Sequence, residues 1–282
     1  MYFYRIIKKN NMKLKHAFII LGMVGLIVSC ATNPFTGKKT MALVPNSQLF
    51  PTAFAQYDQF LSENKVIKGT SEAVMVTRVG QKIAVAAERW LNANGYVGYL
   101  NDYKWEYNLV DDKAVNAWCM PGGKIVVYTG ILPIAKGETG LAAIIGHEVA
   151  HALANHGQQR MSAAYVQQGV AIAGNIAIKD EQSRNAFNQY YGVGSQVGVM
   201  LPFSRAHETE ADKIGLYIMA IAGYNPDEAA ELWKRMSAQS NGQAPPELLS
   251  THPSNDSRIA NLTALAPKAK AEAAKFGVTS YK

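Results

Sequence analysis

Apolar positions recur at helical spacing over 71–94, where Val76, Val79, Ile83, Ala87 and Trp90 share one face, Ser71 stands where a cap is needed and Gly95 ends the run. The pattern predicts a core helix. Over 104–129 the period shortens to two, which predicts strands at 105–110, 115–120 and 125–129, the last pair joined by a turn at Pro121, Gly122 and Gly123. Helical spacing returns at 138–155, closed by His156 and Gly157, with Leu141, Ile145, Val149 and Leu153 as the core stripe. Gly140, Ala143, Gly146, Ala150 and Ala154 flank the other face and leave room for a second helix at close range. The stretch 161–178 carries no charge, but Gln167, Gln168 and Asn175 interrupt it and it only just reaches spanning length. It is expected as a packed helix, or as part of a mobile flap over 161–200, rather than a membrane span. Further helices are predicted at 204–221, 227–239 and 255–266. Many helices and one small sheet make the fold α+β, mainly α, with a single domain over 51–282.

The formal charge of +7 suggests an anionic partner until the basic groups are located. Arg5, Lys8, Lys9, Lys13 and Lys15 supply most of it and no acid accompanies them before residue 30. The remaining chain is near neutral, so no nucleic-acid surface is expected. The basic start and the uncharged run 17–29 have the form of a signal peptide. Leu26, Ile27, Val28, Ser29 and Cys30 resemble a bacterial lipobox, which implies lipidation of Cys30 and a membrane anchor. Ala31 after the cysteine then points, by resemblance to lipoprotein sorting, to an outer-membrane lipoprotein facing the periplasm. Residues 1–29 are thus expected as a lipoprotein signal peptide and 30–50 as a tether. The second cysteine, Cys119, reads as a small core side chain, and two such separated cysteines give no disulfide framework.

His147, Glu148, Val149, Ala150 and His151 form an HExxH pattern inside a helix predicted on independent grounds. Residues four apart on a helix point the same way, so His147 and His151 can share one zinc ion. Glu148 is turned about 100° around the axis, out of ligand position but within reach of a water at the metal. A metzincin needs Gly and His three and six residues beyond the second histidine. Here Ala154 and Gly157 occupy those places, so the third ligand lies farther along. The helix from Ser204 offers Glu208 and Asp212, which share a face, whereas Glu210 faces elsewhere. His207 is the competing ligand, and choosing it would turn Asp212 away from the site.

Four segments in order resemble the HtpX-like and CAAX-prenyl-protease-like zinc metallopeptidases, metallopeptidase family 48: 116–123, His147 to His151, Ser204 to Asp212, and Thr251, His252, Pro253 with Arg258. Within the family the chain looks like the periplasmic lipoprotein branch, although no helical-repeat region follows Ala266. The resemblance implies a gluzincin-type fold with a small antiparallel β-sheet whose edge strand lies beside the HExxH helix. It implies one Zn2+ per chain on His147, His151 and Glu208, with Glu148 as the base that assists attack of zinc-bound water on a peptide bond. Asp212 is assigned to the site either as the partner orienting a ligand imidazole or as a proton donor. Three roles stand open for His252: donor to the oxyanion, occupant of the open metal position that keeps the enzyme latent, or plain surface histidine. The edge strand, through Asn116, Ala117 and Trp118, is expected to bind an extended substrate by main-chain hydrogen bonds, which suits unfolded or misfolded proteins of the envelope. The alternative function is a zinc-bound chaperone or assembly factor with little cleavage.

Overall fold

In the computed structural model, which describes residues 30–196, 200–239, 248, 252 and 256–282, the chain opens with an antiparallel hairpin, β1 (Cys30–Thr32) and β2 (Lys39–Met41). Helix α1 (Asn46–Glu63) follows. Residues 30–50, expected to run as a tether, are folded onto the body of the protein. The Leu43 amide donates to Ser162 Oγ at 3.0 Å, and Gln158 Nε2 donates to the Val44 carbonyl at 2.7 Å. The expected leader, 1–29, lies outside the described residues.

Strand β3 (Val66–Ile67) leads into α2 (Ser71–Ala93), the first predicted helix. Thr70, one residue earlier than expected, caps it by accepting the Ala73 amide at 3.2 Å. Val76, Val79 and Ile83 are wholly buried, each stabilising the fold by about 1.5–3 kcal/mol relative to exposure. Next come β4 (Glu106–Val110), β5 (Ala117–Met120) and β6 (Lys124–Tyr128), in the sheet order β3-β4-β6-β5. Gly122 and Gly123, at φ of +85° and +91°, make the β5–β6 turn in the left-handed region that favours glycine.

The class is mainly helical α+β, as expected, but the sheet is mixed rather than antiparallel. Strand β4 pairs in parallel with β6, Tyr107 opposite Ile125. The loop 111–116 reaches far enough to step over one strand position, and β6 folds back into the gap. Strand β5 is left on the edge. Its side chains alternate: Ala117 and Cys119 join the main core with Ile125 and Val127, whereas Trp118 packs edge-on against Tyr57 and Phe60 under α1.

A short turn, α3 (Leu132–Ala135), precedes α4 (Glu138–Leu153), the HExxH helix. Leu141, Ile145, Val149 and Leu153 are fully buried as the pattern predicted. Every other residue from Gly140 to Leu153 is buried too, because α4 runs through the middle of the molecule with β5, α2 and later helices around it. Its polar side chains therefore face protein, not water. Asn155, in the left-handed conformation at φ +56°, ends α4, and His156 opens α5 (His156–Ala177) instead of closing the helix before it. Helix α5 pairs with α6 (Glu181–Ser195) through reciprocal amide bonds of Asn175 and Asn188, both 2.9 Å. Val170, Ile172 and Ile176 remain exposed, so the charge-free stretch packs against α6 rather than in the core. No helix of the described residues is long and apolar enough to cross a membrane.

The remaining helices are α7 (Leu201–Ile221), α8 (Asp227–Ala238) and α9 (Asp256–Ala274), the last extending past the expected end on buried Ala266, Ala269 and Ala273. The crossing of α4 and α7 positions the site. A Cβ on Gly146 would stand 3.1 Å from the Gly215 carbonyl oxygen, and one on Gly215 would stand 3.0 Å from the His147 amide nitrogen. The two backbones touch where the histidine pair begins, as the small residues of α4 allow.

Candidate metal centre

Helical spacing brings His147 and His151 to one side of α4, and the close crossing presents Glu208 of α7 to them. Donor atoms of His147, His151, Glu208 and His252 all lie within 4.8 Å of one another. His147 Nε2 is 3.1 Å from His151 Nε2, 3.3 Å from Glu208 Oε2 and 3.2 Å from His252 Nδ1. His151 Nε2 is 3.3 Å from Glu208 Oε1, and His252 Nδ1 is 2.9 Å from both Glu208 oxygens. Donors about 2.0–2.1 Å from a tetrahedral zinc stand about 3.3 Å apart, so the set has the right size. His252 thus belongs to the donor group and is 8 % exposed, which removes the surface reading. Its neighbours Thr251 and Pro253, part of the same predicted turn, lie outside the described residues.

Each α4 histidine is held from behind. His147 Nδ1 meets Asp212 Oδ1 at 3.0 Å, and Arg258 grips Asp212 through Nε at 2.9 Å and a terminal nitrogen at 2.7 Å. The Arg258 guanidinium lies 3.7 Å from the Trp233 ring centre and also donates to the His252 carbonyl at 3.2 Å. Asp212 therefore has the geometry of the orienting partner. Behind His151, Nδ1 meets His156 Nδ1 at 2.8 Å, and His156 Nε2 meets Glu210 Oε2 at 2.8 Å. The competing ligand His207 is turned away: its ring stacks on His156 at 4.0 Å and its Nε2 meets Gln159 Oε1 at 3.1 Å.

Charge decides what the cluster can hold. Glu148, Glu208, Glu210 and Asp212 are buried or nearly so, and Arg258 is the buried cation set among them. The four carboxylates outnumber Arg258 even with His147 protonated, and a buried site tolerates such an excess of negative charge only beside a further cation. Burial disfavours charge on both α4 histidines. It holds His151 well below the usual imidazole value, whereas hydrogen bonds to Asp212 and Glu208 outweigh it at His147 and raise that group to about 9. Burial opposes ionisation of Glu208 and Asp212 too, but the histidines around Glu208, and Arg258 with His147 beside Asp212, hold both below the usual carboxylate range. Two imidazoles and a carboxylate, with a third imidazole available, fit a small divalent cation such as zinc.

Glu148 is 5 % exposed, its Oε1 lacks a hydrogen-bond partner among the described residues, and His252 Nε2 is 3.5 Å away. A buried carboxylate oxygen with unspent acceptor capacity is suited to receive a proton. Strand β5 lies beside α4, and the Glu148 charge reaches Cys119, whose thiol burial pushes well above its usual value. Asn116 is buried, its Oδ1 accepting the Ala117 amide at 2.9 Å, and no strand pairs with the outer side of β5 among the described residues. The Trp118 side chain points into the small core under α1, so only its backbone is offered at the edge. Cys30, expected to carry lipid, is exposed at the start of β1, opposite Met41. The sequence pattern gave His156 only a place at the end of a helix, turned Glu210 to another face, put Asn33 in the tether, and left Arg258 without a role.

The sequence profile described as Peptidase family M48 matches residues 77–266. The mitochondrial metalloendopeptidase OMA1 of Schizosaccharomyces pombe is 38% identical over 178 residues, 62% of this chain and 50% of that protein. OMA1 of Saccharomyces cerevisiae is 34% identical over 204 residues, covering 70% and 56%. The beta-barrel assembly-enhancing protease of Yersinia pestis is 27% identical over 246 residues, covering 82% and 50%. The chain spans about half the length of these relatives. The mitochondrial enzymes being the more similar, the expectation of an outer-membrane lipoprotein facing the periplasm is overturned. A basic start followed by a short apolar run is shared by several kinds of leader, and the destination is read by a receptor rather than fixed by hydropathy.

Proposed function

The chain belongs to peptidase family M48, and from that premise and the donor geometry we propose that it is a zinc-dependent endopeptidase acting on extended segments of unfolded or damaged proteins. The observation that carries the reading is the juxtaposition of a four-donor cluster with a buried carboxylate oxygen on Glu148 that accepts no hydrogen bond among the described residues. His147, His151 and Glu208 would hold the zinc, with His252 as a fourth donor that must leave to open a position for substrate. When bound, zinc polarises a carbonyl oxygen and makes water acidic enough to be a nucleophile at neutral pH.

The chain's own residues supply the rest. Glu148 takes the proton of the attacking water as the new C–O bond forms at the scissile carbonyl. It then delivers that proton to the amide nitrogen as the C–N bond breaks, so the products are a free acid and a free amine. Asp212, fixed by Arg258, keeps the His147 proton on Nδ1 and leaves Nε2 for the ion. The outer edge of β5 offers main-chain groups of Ala117 to Met120 to an extended peptide, giving affinity with little sequence choice. Folded substrates cannot present such a strand.

Incubating the protein with unfolded casein tests the proposal. Wild type should cleave internal bonds and lose that activity to a chelator. Glu148→Gln should keep its zinc and lose about 10²- to 10⁴-fold in rate. Full cleavage by the variant would remove Glu148 from the mechanism, and intact biological function without cleavage would favour a zinc-bound binding protein.

A further inference from the structure

We propose that His156 and Glu210 are positioning residues for His151, and that the N-terminal hairpin, through Asn33, completes their support of the metal centre. The inference deepens the zinc-site reading and rests on it. With His151 Nε2 turned to the donor cluster, its Nδ1–H donates to His156 Nδ1 at 2.8 Å, and His156 Nε2–H donates to Glu210 Oε2 at 2.8 Å. The same Glu210 oxygen accepts Asn33 Nδ2–H at 3.0 Å, while Lys38 Nζ stands 3.6 Å from the other. Every donor meets an acceptor in one consistent set of neutral tautomers.

This chain mirrors the one behind His147. There Asp212 fixes the ring and Arg258 fixes Asp212; here His156 fixes the ring and Glu210 with Asn33 fixes His156. His156 is 0 % exposed and Asn33 is 1 % exposed, so both make their hydrogen bonds away from bulk water. The left-handed Asn155 permits the arrangement by breaking the helix between His151 and His156, which lets the second ring turn back on the first. An anionic Glu210 makes His156 a better acceptor, which in turn raises the electron density His151 offers to an ion. The hairpin over 30–41, far away in sequence, is thereby coupled to the metal site.

Zinc dissociation constants of the full chain, measured by competition with a chelator of known affinity, test this together with the visible spectrum of the Co2+ form and the melting of the metal-free protein. His156→Phe keeps ring volume but removes both nitrogens, and should weaken zinc by about 10- to 100-fold and shift the Co2+ bands. Glu210→Gln and Asn33→Ala should weaken it by smaller factors in that order. His207→Phe replaces the ring stacked on His156 and lies outside the relay, so it should leave zinc affinity within about twofold. Should His156→Phe fail to fold, Glu210→Gln and Asn33→Ala decide the matter, since both leave the rings packed. Unchanged affinity and spectra in the relay variants of a zinc-binding wild type, or equal weakening by His207→Phe, would overturn the inference alone. A wild type that binds no zinc would overturn the metal site as well.

Discussion

His252 differs from the other three donors in what holds it. His147, His151 and Glu208 are fixed by two long, buried helices, whereas His252 lies outside any helix and is tied by its amide to the Leu248 carbonyl at 2.8 Å and by its own carbonyl to Arg258. A donor whose backbone is tied by these two contacts rather than by a helix can withdraw at lower cost than one on α4. His252→Ala should therefore retain zinc on three ligands and raise the rate of casein cleavage several-fold; a variant that loses its metal would instead make His252 an obligatory ligand. Helical geometry made the ligand pair, Glu148 and the shared face of Glu208 and Asp212 legible in sequence. The relay behind His151 was not, because it depends on one left-handed residue that no periodicity announces.

At the scale of elements the decisive contact is the crossing of α4 and α7. A Cβ on Gly215 would meet the backbone of Gly146 and His147 at 3.0 Å, and backbone cannot yield by changing rotamer. Gly215→Ala should force the helices apart, costing about 1–3 kcal/mol in chemical denaturation. It should also weaken zinc, because Glu208 rides on the displaced helix. Unaltered zinc affinity would mean that the ligand set tolerates the shift. The small residues flanking the ligand face of α4 foretold a close neighbour, and the edge position of β5 was foretold as well. The parallel pairing of β4 with β6 was not, since strand order depends on which strand fills a gap rather than on the pattern within any one strand.

For the whole molecule, charge ties distant parts together and sets the response to acid. Lys282 beside Glu138, with Arg78 of α2 also paired to it, holds the Glu138 carboxyl below its usual range against the opposing effect of burial. A carboxylate depressed in the folded state contributes stability above its unfolded value, near pH 4.3, and loses it as pH falls through the folded value. Glu208, Glu210 and Asp212 are depressed in the same sense. The urea midpoint should therefore fall steeply between about pH 5 and pH 3. Glu138→Gln should lower the midpoint at neutral pH and flatten part of that fall; an unchanged slope would show that Glu138 adds nothing.

By itself the sequence determined the mainly helical α+β class, the HExxH helix and the shared face of Glu208 and Asp212, because helical spacing is a local property that dictates which side chains share a face. Only tertiary structure decided that α4 is buried on every side, that His252 joins the donors, and that His156, Glu210 and Asn33 stand in line behind His151. Those facts depend on how far apart segments come to rest, and burial in a low-dielectric interior is what converts such proximity into chemistry.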